Sequence, residues 1–300
     1  MTGVAPATLL DPKLLAGIGD LSLLAKTVVE GFLHGLHRSR NTGLSIDFAE
    51  HRSYQPGDDL RRIDWRLFGR TDRFYMKTYE ADTNADVIFA VDTSGSMDFG
   101  SNGPSKFDYA RFLAASLAWL SQRQGDRVGL VTLSDDLDEV IPPSTRHLQL
   151  ILHTLNRIVA TGPGRLPETL NRAARLRGRS GIVVLISDCY EDPALLRRTL
   201  GGLRARGHDV LVMHLIDPAE RDLPYDGQAT FEDAETGIRL PMNPAELRAR
   251  YLELMGNHRE ALRQGLGAAG IDYLLVETDQ PLDGALRAFL DRRLMGSRVR

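Results

Sequence analysis

Cysteine is nearly absent from this chain: Cys189 is the single one in 300 residues. An internal disulfide and a cysteine-rich zinc cage are therefore excluded, and a reducing compartment fits. A strong charge of one sign is missing too, the formal net charge being −3. Without a dominant basic field to neutralise phosphates, nucleic acid is not an expected partner. Basic pairs such as Arg61-Arg62 and Arg197-Arg198 read instead as solvated helix faces. No apolar run reaches the length of a membrane-spanning helix. The opening stretch MTGVAPATLLDPKLL has neither the basic nor the apolar segment of a secretory signal. A cytoplasmic protein without membrane contact is the expectation.

What is present is an ordinary share of apolar residues, 42%, in a chain long enough for a full α/β core. Three regions differ in pattern. Residues 1–40 hold an amphipathic helical segment, with apolar positions at helical spacing over about 13–36. Such a helix packs on the rest of the protein, or docks a partner or a membrane surface. Residues 41–84 alternate in short runs around the turn Pro56-Gly57-Asp58, which predicts a small β lobe.

From 85 to 300 a rhythm takes over. The runs DVIFAVD (86–92), RVGLVTLSD (127–135), GIVVLISD (181–188), HDVLVMHLID (208–217) and IDYLLVETD (271–279) alternate with amphipathic helical stretches. Wholly apolar strands of this kind predict an α/β fold, a mostly parallel sheet covered by helices on both faces. Residues 218–245 interrupt the rhythm and read as a hairpin turning near Glu235-Thr236-Gly237.

Several strands end in an acid: Asp92, Asp135, Asp188, Asp217 and Asp279. Ligands of open parallel sheets sit at those carboxyl ends. One acid there can be a helix cap. Two on adjacent strands repel unless a cation lies between them.

The segment FAVDTSGSMD (89–98) admits three readings. Ser96 or Asp98 could cap the next helix, which explains one side chain but not three at alternate positions. A serine nucleophile would want glycine on both flanks and a histidine base. Of eight histidines only His214 lies near a strand end. Asp92 could also be the aspartyl nucleophile of a magnesium-dependent phosphotransferase or phosphatase, but that chemistry wants a second acid two residues on, where Ser94 stands. The third reading is a hard metal. Magnesium takes one or two carboxylates plus neutral oxygens. Asp92, Ser94 and Ser96 offer such a set, Asp188 a second carboxylate, and Thr169 in GRLPETLNRAA a third-loop hydroxyl. Absence of histidine and thiolate favours Mg²⁺ or Mn²⁺ over zinc.

Asp-x-Ser-x-Ser after an apolar strand, with a later threonine and strand-end acid, resembles the metal-ion-dependent adhesion site of von Willebrand factor A domains. With RSYQPGDDLRRIDW upstream and ISD and LIDPAERDLP downstream, the chain from about residue 35 resembles the bacterial and archaeal domain-of-unknown-function family 58. The resemblance implies a von Willebrand factor A-like, Rossmann-type domain over 85–300. It also implies metal ligation by Asp92, Ser94, Ser96, Asp188 and Thr169. The threonine loop departs from the usual Gly-x-Thr-Asp-Leu, and Thr161 is the alternative. A MoxR-type AAA+ ATPase is the implied partner, in chaperone-like assembly or regulation, with a protein ligand donating Asp or Glu to the metal. The expectation is a binding module rather than an enzyme. The Asp92 phosphotransferase and a scaffold with a degenerate site are the alternatives.

Overall fold

The structure, a computed structural model, describes residues 11–39, 51–53, 75–77, 85–133, 139–164, 166–173 and 180–297. In chain order these form α1 (Pro12–Leu15), α2 (Leu21–Ser39), β1 (His51–Ser53), β2 (Tyr75–Lys77), β3 (Asp86–Asp92), a 3₁₀ turn (Gly95–Asp98) and α3 (Lys106–Arg123). Then come β4 (Arg127–Leu133), β5 (Val140–Ser144), α4 (Leu148–Arg157), α5 (Leu166–Ala173), β6 (Ile182–Ser187), α6 (Pro193–Ala205) and β7 (Asp209–Ile216). The last are α7 (Pro218–Asp222), β8 (Ala229–Glu232), β9 (Arg239–Met242), α8 (Pro244–Ala268), β10 (Asp272–Glu277) and α9 (Asp283–Ser297).

The amphipathic N-terminal helix packs on the core. Leu21, Leu24, Ala25, Val28, Val29 and Phe32 on α2 recur at helical spacing and are buried with Phe89 and Val91 of β3. Burying a large apolar side chain stabilises by about 1.5–3 kcal/mol, so this face is held by the α/β body. Within 41–84, where a small β lobe is expected, β1 and β2 pair antiparallel, with His51 opposite Lys77. Its turn at Pro56–Asp58 lies outside the described residues.

The main sheet runs β10-β7-β6-β3-β4-β5, and only β5 is antiparallel to its neighbour. Pro142 and Pro143 sit in β5, an edge strand where a missing N–H is tolerated. Side chains alternate between faces. Val87, Phe89 and Val91 join the core under α2, α3, α4 and α9, while Ala90 joins the one under α5, α6 and α8. Helices on both faces are the reason these strands read as unbroken apolar runs. The mostly parallel sheet with helices on both faces expected from the strand rhythm is the one observed, and β8 and β9 pair as a hairpin where one was expected near 218–245.

One topological feature positions the site. From β3 the chain moves outward through β4 and β5, then returns to β6 on the other side of β3. At such a reversal the connections diverge and leave a crevice outside the strand ends. Asp92 closes β3 and Asp188 follows β6 directly, so two of the five strand-end acids flank the crevice. Among the described residues, no helix is long and apolar enough to cross a membrane.

Candidate metal centre

The segment after β3 is curled by its own side chains. Ser94 N–H donates to Asp92 Oδ1 at 3.0 Å, and the Ser94 and Ser96 hydroxyls are 3.1 Å apart. The 3₁₀ turn at Gly95–Asp98 brings these alternate positions together. Ser94 makes no side-chain cap to that turn. Helix α3 is capped by Ser105, which accepts from Asp108 N–H at 3.1 Å. Capping is therefore not what the two loop serines do.

Gly95 is required by crowding. A Cβ there would lie 2.8 Å from the Ala234 carbonyl oxygen and 3.2 Å from that of Gly162. Gly95 N–H donates to Gly162 O at 2.8 Å, and Thr161 N–H to Thr93 O at 3.0 Å. The loop after α4 is thus stitched to the loop after β3 by backbone bonds.

The second acid arrives from β6. Register sets Val91 opposite Ile186, so Asp92 is level with Ser187, whose hydroxyl donates to Asp92 Oδ2 at 2.6 Å. Asp188 comes next. Its Oδ2 accepts from Lys106 Nζ at 2.8 Å, and the same ammonium reaches Glu220 Oε1 at 2.6 Å. It also lies 4.8 Å from the centre of the Tyr190 ring. Lys106 is completely buried. Burial alone would lower its pKa, but Asp188 and Glu220 outweigh that and hold it above the ordinary lysine value.

The acids feel the reverse. Burial, and then the charge on Asp188, push Asp92 up to about 6, against the hydrogen bonds from Ser187 and Ser94. Burial, and then the charges on Asp92 and Asp188, push Glu191 up to about 7. The Glu191 carboxylate also accepts the amide of Leu166, the first residue of α5. Lys106 is already shared with Glu220, so negative charge at the crevice exceeds positive. That imbalance, in an all-oxygen donor set, fits a hard dication. Among the described residues, no three His, Cys, Asp or Glu side chains form a metal-holding group; the set here is two acids completed by hydroxyls.

Asp92, Ser94, Ser96 and Asp188 are brought to one crevice. Thr169 is fully buried on α5, whose first amide is tied to the crevice through Glu191. Thr161 is solvent-exposed and meets the site through its backbone. Of the other strand-end acids, Asp217 caps α7, Asp279 is exposed, and Asp135 lies outside the described residues.

The histidine named for a serine nucleophile is engaged elsewhere. His214 Nδ1 pairs with the Tyr273 hydroxyl at 2.7 Å, and burial above all pulls it down to about 3. It is a neutral core histidine. Cys189 is buried, with a thiol pushed well up mainly by burial, so it is inert. Its backbone is unusual. At φ 51° it occupies the left-handed region, which turns the chain sharply after Asp188, and its carbonyl accepts from His258 Nε2 at 2.8 Å.

Sequence reasoning missed Lys106, Ser187, Tyr190, Glu191 and Glu220. One signal was available for Lys106. A lysine at the first position of a helix, as in KFDYARFLAASLAWL, opposes the helix dipole and calls for a compensating acid.

The uncharacterized Mycobacterium tuberculosis protein Rv1480 is 31% identical over 296 residues, covering 96% of this chain and 92% of that protein. BatB from Bacteroides thetaiotaomicron aligns over 71% of this chain and 98% of its own, at 18% identity and TM-score 0.48. The SpRpn10 VWA domain aligns over 68% and 94%, at 12% identity and TM-score 0.42. Residues 50–261 match the family model described as "Protein of unknown function DUF58", and the chain belongs to that family.

Proposed function

We propose that this protein is a metal-dependent protein-binding module, with Asp92, Ser94, Ser96 and Asp188 holding Mg²⁺ or Mn²⁺ at the crevice between β3 and β6. The observation that carries the reading is the meeting of two buried acids at the sheet's reversal point, with Ser187 and the loop hydroxyls between and around them. Thr169 or Thr161 would supply the third-loop oxygen. A bound dication would offer an incoming Asp or Glu a positive vertex. The chain's own residues fix the geometry: Ser187 and the Ser94 amide orient Asp92, and Lys106 orients Asp188. By family resemblance the partner is a MoxR-type AAA+ ATPase, in chaperone-like assembly or regulation, and the module is not an enzyme.

A ligand that binds only the folded state stabilises it by about 2.7 kcal/mol at a hundredfold excess over its Kd. Mg²⁺ or Mn²⁺ should therefore raise the Tm of the wild type by several degrees and leave Asp92→Ala unmoved. Equal shifts in both proteins would remove the metal. Retention of an AAA+ partner on immobilised protein should be lost with chelator. Hydrolysis of a phosphate ester that Asp92→Asn abolishes would instead support the phosphotransferase reading.

A further inference from the structure

The hairpin β8–β9 lies on the candidate metal loop. Its Ala234 carbonyl oxygen stands 2.8 Å from where a Cβ of Gly95 would be. A Cβ on Gly164 would have the Glu235 Oε1 at 3.4 Å, Ser94 Cβ at 3.2 Å and Ser94 Oγ at 3.7 Å. The Glu235 carboxylate and the Ser94 hydroxyl thus flank one point, and a side chain at 164 would stand between them. The turn that presents Glu235 is closed by its own hydrogen bonds. Asp233 Oδ1 accepts from the amides of Glu235 at 2.8 Å and Thr236 at 3.1 Å. Gly237, at φ +70°, donates to Asp233 O at 2.8 Å. The base of the hairpin is held by an edge-to-face contact between Tyr225 and Phe231, with centroids 5.8 Å apart. The hairpin backbone at Ala234 therefore lies against the loop, while the Glu235 side chain is exposed.

We propose that Glu235 is a built-in competitor for the metal centre, occupying the vertex that an outside acid would take, so that a partner must displace the hairpin carboxylate to bind. This rests on the metal reading above. The chemistry matches the expected ligand, since both are carboxylates seeking the same dication. Tethering strengthens a weak contact, because an acid held at a short span acts at an effective concentration in the millimolar range or above. The hairpin thereby sets a threshold: acids that bind more weakly than Glu235 are refused, and only a partner with further contacts displaces it.

The test uses the full chain with Mn²⁺ as probe, reading Kd by titration and bound-water access by water-proton relaxation. Glu235→Gln should bind Mn²⁺ about tenfold more weakly, by analogy with losses on removing groups around a metal, and should show higher relaxation enhancement as water replaces the carboxylate. Glu235→Asp, one methylene shorter, should behave like Glu235→Gln. Identical affinity and enhancement in wild type and Glu235→Gln, with binding lost in Asp92→Ala, would overturn the proposal and leave the metal centre standing. No Mn²⁺ binding by the wild type beyond that of Asp92→Ala would overturn both.

Discussion

Asp188 and Asp217 end neighbouring parallel strands, and both are nearly fully buried. Their oxygens meet different fates. Asp217 is surrounded by donors: it accepts from Ala219 N–H at 2.8 Å and Ser101 N–H at 3.0 Å, and from the Ser101 hydroxyl. It forms a capping box with Glu220 at the start of α7. Its oxygens are met by neutral donors, the Ala219 amide nearby and the amide and hydroxyl of Ser101 from across the fold. Asp188 lies close enough to Asp92 for their charges to oppose each other, and its Oδ2 accepts from the ammonium of Lys106, brought from 82 residues away. A strand-end acid satisfied by amides is architecture. One that faces another acid demands a cation.

The largest effect that separates the two should come from Lys106→Met. Breaking a buried pair by removing one partner costs about 3–5 kcal/mol, so the urea midpoint should fall steeply. A fall of less than about 1 kcal/mol would mean that Asp188 is solvated or protonated after all. Mg²⁺ should restore more stability to Lys106→Met than it adds to the wild type.

Next in size is a pH effect in chelator-treated protein. The Asp92 carboxyl takes its proton at about 6 when folded and at 3.8 in its reference state. The folded state therefore binds more protons between those values, and stability falls as pH rises through the window. The stabilisation is fully present below 3.8 and gone above about 6. The loss is about 3 kcal/mol. Asp92→Asn, which has no proton to lose, should flatten the slope in denaturation curves taken from pH 4 to 7. An unchanged slope would place the titrating group elsewhere.

The smallest effect belongs to Asp217→Ala. Losing a helix cap costs about 1–2 kcal/mol, and the deficit should be the same with and without Mg²⁺. A Mg²⁺-dependent deficit would move Asp217 into the metal centre and dissolve the distinction.

Much of this was legible in the residues. The runs at 86–92 and 181–188 became β3 and β6, and KFDYARFLAASLAWL opened α3. The turn near Glu235-Thr236-Gly237 sits at the hairpin tip. Ser94 and Ser96 curl toward Asp92 because a short-range bond and a glycine two and three residues on are local facts. Lys106, Glu191 and Glu220 were not legible as members of the same crevice, since nothing in the spacing of one strand says which helix start will lie over it. Nor did the pattern reveal that Ser187 would be the bridge to Asp92, because that follows from register between strands some ninety residues apart.

By itself the sequence determined the alternation of buried strands and amphipathic helices, the acids at strand ends and the oxygen-rich loop after β3. Those are products of local periodicity and composition, which act within a few residues. Tertiary structure alone decided that β3 and β6 are neighbours, that a buried ammonium serves Asp188, and that a hairpin carboxylate and Ser94 flank Gly164. The physical reason is that strand order and charge pairing are settled by packing across the sheet, where groups far apart in the chain compete for the same few cubic ångströms and the same few counter-charges.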